Sequence, residues 1–558
     1  MFSNDWPPEC GQGSSLLTAF PRPLPLLRRL QIQIVTRSLT ALALLSPLSV
    51  VSAQQVADPA RRLQRIDITR QGVFDSVDAR QWFARIANRL HVTTQARVIE
   101  RELLLRMGDP LDSARAAETG RNLRRLAVFR DVTVDTSADG RTLRVVTRDA
   151  WSTKPYANYR STGSQTLISA GILETNFLGL AATLDARFVQ DPDRSLFRLA
   201  FAAPRIFANR VGSLVFFNKL SDGRSVGAVV EQPFFSLSSR TAARATFVTS
   251  TGRVIRFRNG VLTPSDSLDR QFTLATVGAA HALRASPRGF LRIGVDAQYR
   301  RDDFTPRRGV PVVAARTVTG AVTGFVDASR ARFVVTRNYR VLGQPEDVDL
   351  STTVRLGVAV APKAFGYDRS GAGPVLFAQT GVRLPYGFAT LAGRANGLAS
   401  AGALDSGTAI VAATVVLQPH PRHLFVAFSM LGWEKNPFPG EEFDLGLARG
   451  PRAFPLHAFT GDRQRFSAVE YRFTALPNIA GLFAAGVAAF AETGGAWYNG
   501  SRPRDGANAG VGLRFAPLRS AANVGATRID LARRFATDRQ AAGWVVVVGS
   551  GFTFDFVR

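Results

Sequence analysis

The chain has 558 residues, 46% of them hydrophobic, at a mean hydropathy of +0.01, enough for a large core or an extended lipid-facing surface and more than one compact domain ordinarily needs. A formal net charge of +27 raises nucleic acid or an anionic surface as partner. Lysine occurs only at Lys154, Lys219, Lys363 and Lys435, the arginines are scattered, and no nucleic-acid module is visible, so the charge argues against nucleic acid and for non-specific contact with phosphate-bearing lipid headgroups.

Residues 1–27 are proline-rich and pattern-free. Arg37 then precedes an apolar run, Leu39 to Val51, that ends in Val51-Ser52-Ala53. A positive flank, an apolar stretch and a small-residue cleavage site read as a secretory signal, so residues 1–53 are expected to be removed, with Gln54 as the mature start and 54–61 as linker. The signal lies far from Met1, which is explained either by an unusually long leader or by a translation start near Val35. Cys10, the only cysteine, falls in the removed part, which leaves backbone pairing and packing to hold the mature protein together.

Residues 62–150 read as a small α/β domain. Leu63 to Ile68 alternates as a strand, and Trp82, Phe83, Ile86 and Leu90 fall at helical spacing. The spacing predicts a helix from Val98 to Met107, stopped by Gly108, and a second opened by Asp109-Pro110 whose apolar face carries Leu123, Leu126 and Phe129. Two strands follow, around Val132 and Val134 and from Leu143 to Thr147, joined by a turn at Asp139-Gly140.

From Pro155 to the end helical spacing disappears, and segments of about ten residues alternate apolar and polar. Val348, Leu350, Val354, Leu356, Val358 and Val360 are expected on one face of one strand. Leu291, Ile293, Val295, Ala297 and Tyr299 oppose Arg292, Asp296, Gln298 and Arg300, and Phe197, Leu199 and Phe201 flank Arg198. The same period suits a soluble all-β array with a greasy interior and a membrane barrel with a polar lumen. The export signal, the absence of mature cysteine and the recurrence of charge on one face favour the barrel, whose closure satisfies every backbone group in lipid. No stretch after the signal offers an apolar run long enough for a spanning helix.

Within this region, Leu445 to Phe473 stands apart. Gly446, Gly450, Pro451 and Pro455 break any strand, yet Phe454, Leu456 and Phe459 are too apolar to float in water. The loop is therefore expected to fold into the barrel cavity and to feed a strand with Val469, Tyr471 and Phe473 on one face and Glu470 and Arg472 on the other. An arginine carried inside, Arg452 or Arg449, needs a carboxylate, since an unpaired buried charge costs on the order of 3–5 kcal/mol. Glu492 is the first candidate partner and Glu470 the second.

Arg452-Ala453-Phe454-Pro455, followed by Phe459, Gly461 and Glu470-Tyr471-Arg472, resembles the tip of the sixth extracellular loop of the BamA/TamA-type outer-membrane superfamily, the bacterial surface-antigen barrels. Phe490, Glu492 and Gly494 are similar to that family's Phe-x-Asp-x-Gly motif, which receives the arginine; here Ala453 replaces a glycine and Glu492 an aspartate. Ile99 to Leu103, Gly108-Asp109-Pro110, Asn122-Leu123 and Phe129 to Val132 resemble a polypeptide-transport-associated (POTRA) domain. Glu174 to Gly179 looks like the family's first barrel turn, and Gly510 to Arg514 and Arg528 to Ala532 look like its late strands.

The resemblance implies a mainly β protein: a sixteen-stranded transmembrane antiparallel barrel, residues 155–558, behind a periplasmic POTRA-like domain, residues 62–150. It implies an outer-membrane location and contact with outer-membrane lipids and lipopolysaccharide. Unfolded polypeptide clients or periplasmic partners would be captured by the small domain, and polypeptide or lipid clients inserted into or translocated across the outer membrane, without a cofactor. Arg452, Phe454, Gly461, Glu470, Glu492 and Gly494 would form a loop lock in the lumen. Gly549 and Gly551 would weaken or kink the last strand so that the seam can open to a client strand, the alternative being a permanently closed barrel. A channel or receptor without assembly activity is the second functional reading. A barrel hydrolase is disfavoured, because no Ser/His pairing, G-x-S-x-G, P-loop or dinucleotide fingerprint is present. His420 and His423 flank Pro421 and read as a turn, and Asp302-Asp303 and Glu441-Glu442 read as solvated loop tips.

Overall fold

The computed structural model describes residues 62–74, 82–161, 165–206, 210–258, 261–262, 268–306, 317–340, 342–367, 370–447, 449–520 and 527–550. The signal-like segment with Cys10, the linker, Gly551 and the terminal phenylalanines lie outside these residues.

The small domain consists of β1 (Arg65–Gln71), α1 (Trp82–Leu90), α2 (Ala96–Glu102), α3 (Ser113–Arg125), β2 (Phe129–Thr136) and β3 (Thr142–Asp149). β3 is central, parallel to β1 and antiparallel to β2. Leu63, Ile99, Leu105, Leu123, Leu143 and Val145 form its core. Two helix boundaries differ from the spacing-based expectation. α2 ends at Glu102, because the Leu104 N–H donates to Thr119 Oγ1 at 3.2 Å and Leu105 drops into the core, so tertiary partners replace the next helical turn. α3 starts later than Asp109-Pro110, at a cap where Asp112 accepts from Ala114 N and Arg115 N at 2.9 and 3.2 Å. Phe129 leaves that helix for β2.

Behind this domain the chain closes into an antiparallel barrel of twenty strands, from Thr153–Ser161 to Gly543–Ser550. The expected count of sixteen is therefore wrong. Alternation marks strands but does not count them, because two-residue connections such as Ser221-Asp222, Pro287-Arg288, Pro385-Tyr386 and Pro421-Arg422 fold long alternating runs into tight hairpins. The long loop lies between the fifteenth and sixteenth barrel strands, His423–Lys435 and Arg463–Ile479, and is the eighth connection on its side of the barrel, with five strands after it. A sixth loop in a sixteen-stranded barrel also leaves five strands after it, so the four additional strands precede the loop.

The two faces of the wall are chemically opposite. Along Gly289–Pro306, Ile293, Val295 and Tyr299 are exposed on the outside while Arg292 and Arg300 are buried on the inside. Phe197 and Leu199 stand outside with Arg198 buried, and Ile529 and Leu531 stand outside with Asp530 buried. A greasy exterior around a charged interior is the pattern of a barrel solvated by lipid. Among the described residues no helix is long and apolar enough to cross a membrane.

The expected single strand from Val348 to Val360 is two elements. Pro345–Asp349 pairs with Phe333–Arg337 in a hairpin on the small-domain side, and Thr352–Ala361 is a barrel strand. Leu356, Val358 and Val360 face outward, whereas Val348 and Leu350 turn into the internal cluster with Tyr339, Phe388 and Leu424. The Leu350 N–H donates to Arg332 O at 2.8 Å and closes the hairpin base, which breaks the run and sends residues of the same parity to opposite sides of the wall.

Candidate functional site: an arginine lock in the lumen

The loop between residues 436 and 462 folds inward. A short ladder, Phe443–Leu445 against Phe459–Gly461, forms its stem, and Phe443, Leu445, Phe454 and Phe459 pack into the internal cluster. Gly461 is confined there: a Cβ would lie 2.1 Å from the Trp497 backbone. At the tip, Arg452 is 1% exposed, while Arg449 is exposed. The residue after the tip arginine, Ala453, keeps negative φ, so no glycine is needed where the resemblance expects one.

Four consecutive strands hold Arg452. Its Nε and Nη2 donate to Glu492 Oε1 at 2.8 and 2.6 Å, its backbone N–H to Glu492 Oε2 at 2.9 Å, its Nη2 also to Glu470 Oε2 at 3.2 Å, and its Nη1 to Asp530 Oδ2 at 2.6 Å. The Phe490 ring lies under the guanidinium at 3.7 Å. Asn508, directly opposite Glu492 in the register, donates to Glu492 Oε2 at 3.0 Å and accepts from Ala453 N at 3.0 Å. Glu470 is shared with Arg472 at 2.5 Å and Arg514 at 3.2 Å, and Arg514 also bonds Asp530 at 2.6 Å. Planar, fork-like guanidinium pairing with several carboxylates is the arrangement in which a buried arginine is retained.

The structure thus brings Arg452, Glu470 and Glu492 together as one network. Phe454 packs beside it, its ring where a Cβ on Gly506 would be, at 2.2 Å. Gly494 lies where a Cβ would meet the Arg465 carbonyl at 2.7 Å and the Phe466 ring at 2.9 Å. Asp530, Asn508, Arg472, Arg514 and Gly506 were not identified as site residues from the sequence. For two of them the signal was available: Asn508 and Asp530 sit on the buried parity of the two strands that follow that of Glu492, between the apolar pairs Ala507/Ala509 and Ile529/Leu531.

Three further anchors tie the loop to the wall. Asp302 and Glu441, expected as solvated tips, are buried instead. Arg270 and Arg300 both pair with Asp302, at 2.5 and 2.6 Å, and both with Glu441, at 3.0 and 2.7 Å, while Glu442 pairs with Arg256 at 2.7 Å. Acidic residues at a loop edge stay in water only when no arginine waits on the wall, and here two do. His457 sits between Asp444 and Asp193, at 2.7 Å from the latter, stacked on Phe257 at 3.7 Å. Leu456 N donates to Gln165 Oε1 at 2.8 Å in the first connection. His420 and His423 meet at a strand turn, where His423 bonds the Tyr471 hydroxyl at 2.8 Å.

From the small-domain side the hairpin reaches the same network. Arg472 Nη1 donates to Tyr339 O at 2.7 Å, and at the hairpin's other end Asp347 accepts from Arg124 of α3 at 2.6 and 3.0 Å. Further contacts dock the domain under the barrel: Asn122 to Phe235 O at 3.0 Å, Glu102 with Arg205 at 2.5 Å, and Asn176 to Val92 O at 3.0 Å.

At the seam, the first and last strands pair through only two residue pairs among the described residues, Val547 with Arg160 and Val548 with Tyr159. The neighbouring ladders, Thr153–Ser161 with Thr166–Phe177 and Thr527–Arg534 with Gly543–Ser550, have nine and eight. Gly549 stands opposite Arg528 at this edge, and Gly551 lies outside the described residues. The loop spans the seam from inside, with Leu447 and Ala453 packed on Ala532, Val545 and Val547 and Leu447 O accepting from Arg160 at 3.4 Å.

No family model matches this sequence, and no curated protein matches it. Among solved structures it is similar to BamA from Haemophilus ducreyi lacking POTRA domains 1–3, at 12% identity over 87% of this chain and 85% of that chain, TM-score 0.35. It is also similar to CdiB from Escherichia coli, at 11% identity over 88% and 76%, TM-score 0.44, and to CdiB from Acinetobacter baumannii, at 11% identity over 88% and 73%, TM-score 0.39. The barrel assignment rests on the chain's own closed antiparallel topology and on its greasy exterior around a charged interior.

Proposed function

We propose that this protein inserts or translocates polypeptide clients at the outer membrane, with the small domain as a POTRA-like docking module on the periplasmic side. The observation that carries the reading is the coincidence of a weak seam with a plug locked across it. Among the described residues two residue pairs join the first strand to the last, and the loop carrying Arg452 packs on the last strand through Leu447 and Ala453 while Leu447 O accepts from Arg160 of the first. Unpaired strand edges are templates for β-augmentation, so a seam that parts offers a client strand a place to pair. The lock keeps the lumen filled and the seam apposed until a client arrives. The motif resemblance around Arg452, Phe490, Glu492 and Gly494 supports the same reading.

Reconstitution into lipid vesicles tests it. Accelerated folding or translocation of a second polypeptide, lost when the seam is covalently closed, is the expected result. Steady ion conductance with no effect on any client would favour a channel instead.

A further inference from the structure

Where α3 meets the barrel rim, a small hollow of about 20 Å³ is lined by Glu118, Arg121 and Arg125 from the helix and by Phe234, Phe290 and Arg292 from the barrel. Arg292 is 7% exposed, and its guanidinium is clamped between the Phe234 ring at 3.6 Å and the Phe290 ring at 3.4 Å. Two ring faces fix the plane of the cation and leave its N–H edge as the only direction for hydrogen bonding. Among the described residues nothing takes that edge: Arg292 has no ion pair or hydrogen bond, and its Nε is buried without a partner. Asp327 accepts both arms of Arg355 at 2.6 and 2.8 Å, and Glu118 accepts from Leu237 N at 2.6 Å through Oε1, which leaves its Oε2 buried without a hydrogen bond. Burial pushes the Glu118 carboxyl up, against the Leu237 hydrogen bond and the charges of Arg121 and Arg125, which pull it down.

We propose that this hollow is a binding site for a single small oxyanion, a carboxylate or phosphate group, held edge-on by Arg292 with Arg121 and Arg125 at its mouth. The volume admits one such group and no larger body, so the occupant is a free ion or the anionic end of a longer molecule. Because helix and barrel each supply cations, occupancy clamps the small domain to the rim. The site is independent of the lumen lock and of the proposed function.

The test is titration calorimetry of the full chain in detergent micelles with inorganic phosphate and, separately, acetate, in a chloride background. Saturable binding of either anion is expected, and the one that binds assigns the class. Arg292→Gln should weaken binding at least tenfold and Arg121→Gln severalfold, while Glu118→Gln, which removes a competing carboxylate, should tighten it. No saturable binding of either anion overturns the site, as does equal affinity in Arg292→Gln. If Arg292→Gln does not fold, an unchanged affinity in Arg121→Gln overturns it.

Discussion

Nη1 of Arg452 lies 2.6 Å from Oδ2 of Asp530, on the strand next to the last one of the barrel. One contact joins the tip of an inward-folded loop to the strand beside the last, which is fully paired to both of its neighbours.

Removing the arginine leaves Glu470, Glu492 and Asp530 buried without their shared partner. Arg452→Ala is expected to destabilise the barrel by about 3–5 kcal/mol. Adding Glu492→Gln should cost much less in that background than in the wild type, because the two act through one network. Thermal unfolding of the four proteins in detergent measures the cycle; strictly additive losses would falsify the pairing.

Gly506→Ala puts a methyl 2.2 Å from the Phe454 ring. The ring must shift against a filled lumen, which should cost about 1–3 kcal/mol. Pairing the change with Phe454→Leu should recover part of the loss, as read by the same unfolding midpoint.

Arg124 and Asp347 link α3 to the hairpin that touches Arg472. Arg124→Asp alone and Asp347→Arg alone should each raise hydrogen exchange in α3 and in Phe333–Arg337. The double reversal should restore protection in both. Rescue of neither would mean that the domain is held without this pair.

His457 lies in the loop, outside the barrel strands. Burial opposes its charge, but its hydrogen bonds to Asp193 and Asp444 outweigh that and raise its pKa from 6.5 to about 9. The folded state binds this proton more tightly than the unfolded one. The stabilisation is therefore complete below pH 6.5 and is lost as pH rises through about 9, with a ceiling of about 3 kcal/mol. Hydrogen exchange of residues 443–461 should rise between pH 7 and pH 9.5, and His457→Gln should flatten that rise after correction for intrinsic exchange.

Tyr159 and Val548 are direct partners across the seam. Cysteines at both positions should crosslink without loss of fold, since opposed residues in a ladder lie within disulfide reach. Client insertion should stop in the oxidised form and return on reduction. Full activity of the oxidised protein would rule out seam opening.

Sequence alone determined the class of this protein. Strict alternation, as at Phe197-Arg198-Leu199 and Ile529-Asp530-Leu531, fixes which residues share a side of a strand, because side-chain direction is set by the backbone period. Gly446, Pro451 and Pro455 mark a loop, its phenylalanines require burial, and a buried arginine requires carboxylates; those local facts reach Arg452 or Arg449 and the candidates Glu492 and Glu470, and the buried position of Arg452 decides between the arginines. Only the tertiary structure decided the rest. Strand number depends on where two-residue turns close, and Val348 and Leu350 share a parity with Leu356 yet lie on the other side of the wall. Asp530 and Asn508 join the lock because the register of four consecutive strands and the inward fold of the loop place them on one patch of the lumen. Asp302 is buried beside Arg270 and Arg300 on its own and the neighbouring strand, and Glu441 is buried because the inward loop carries it to the same two arginines. Partners separated by a hundred residues or more are set by how the sheet closes, and no local pattern in the chain encodes that distance.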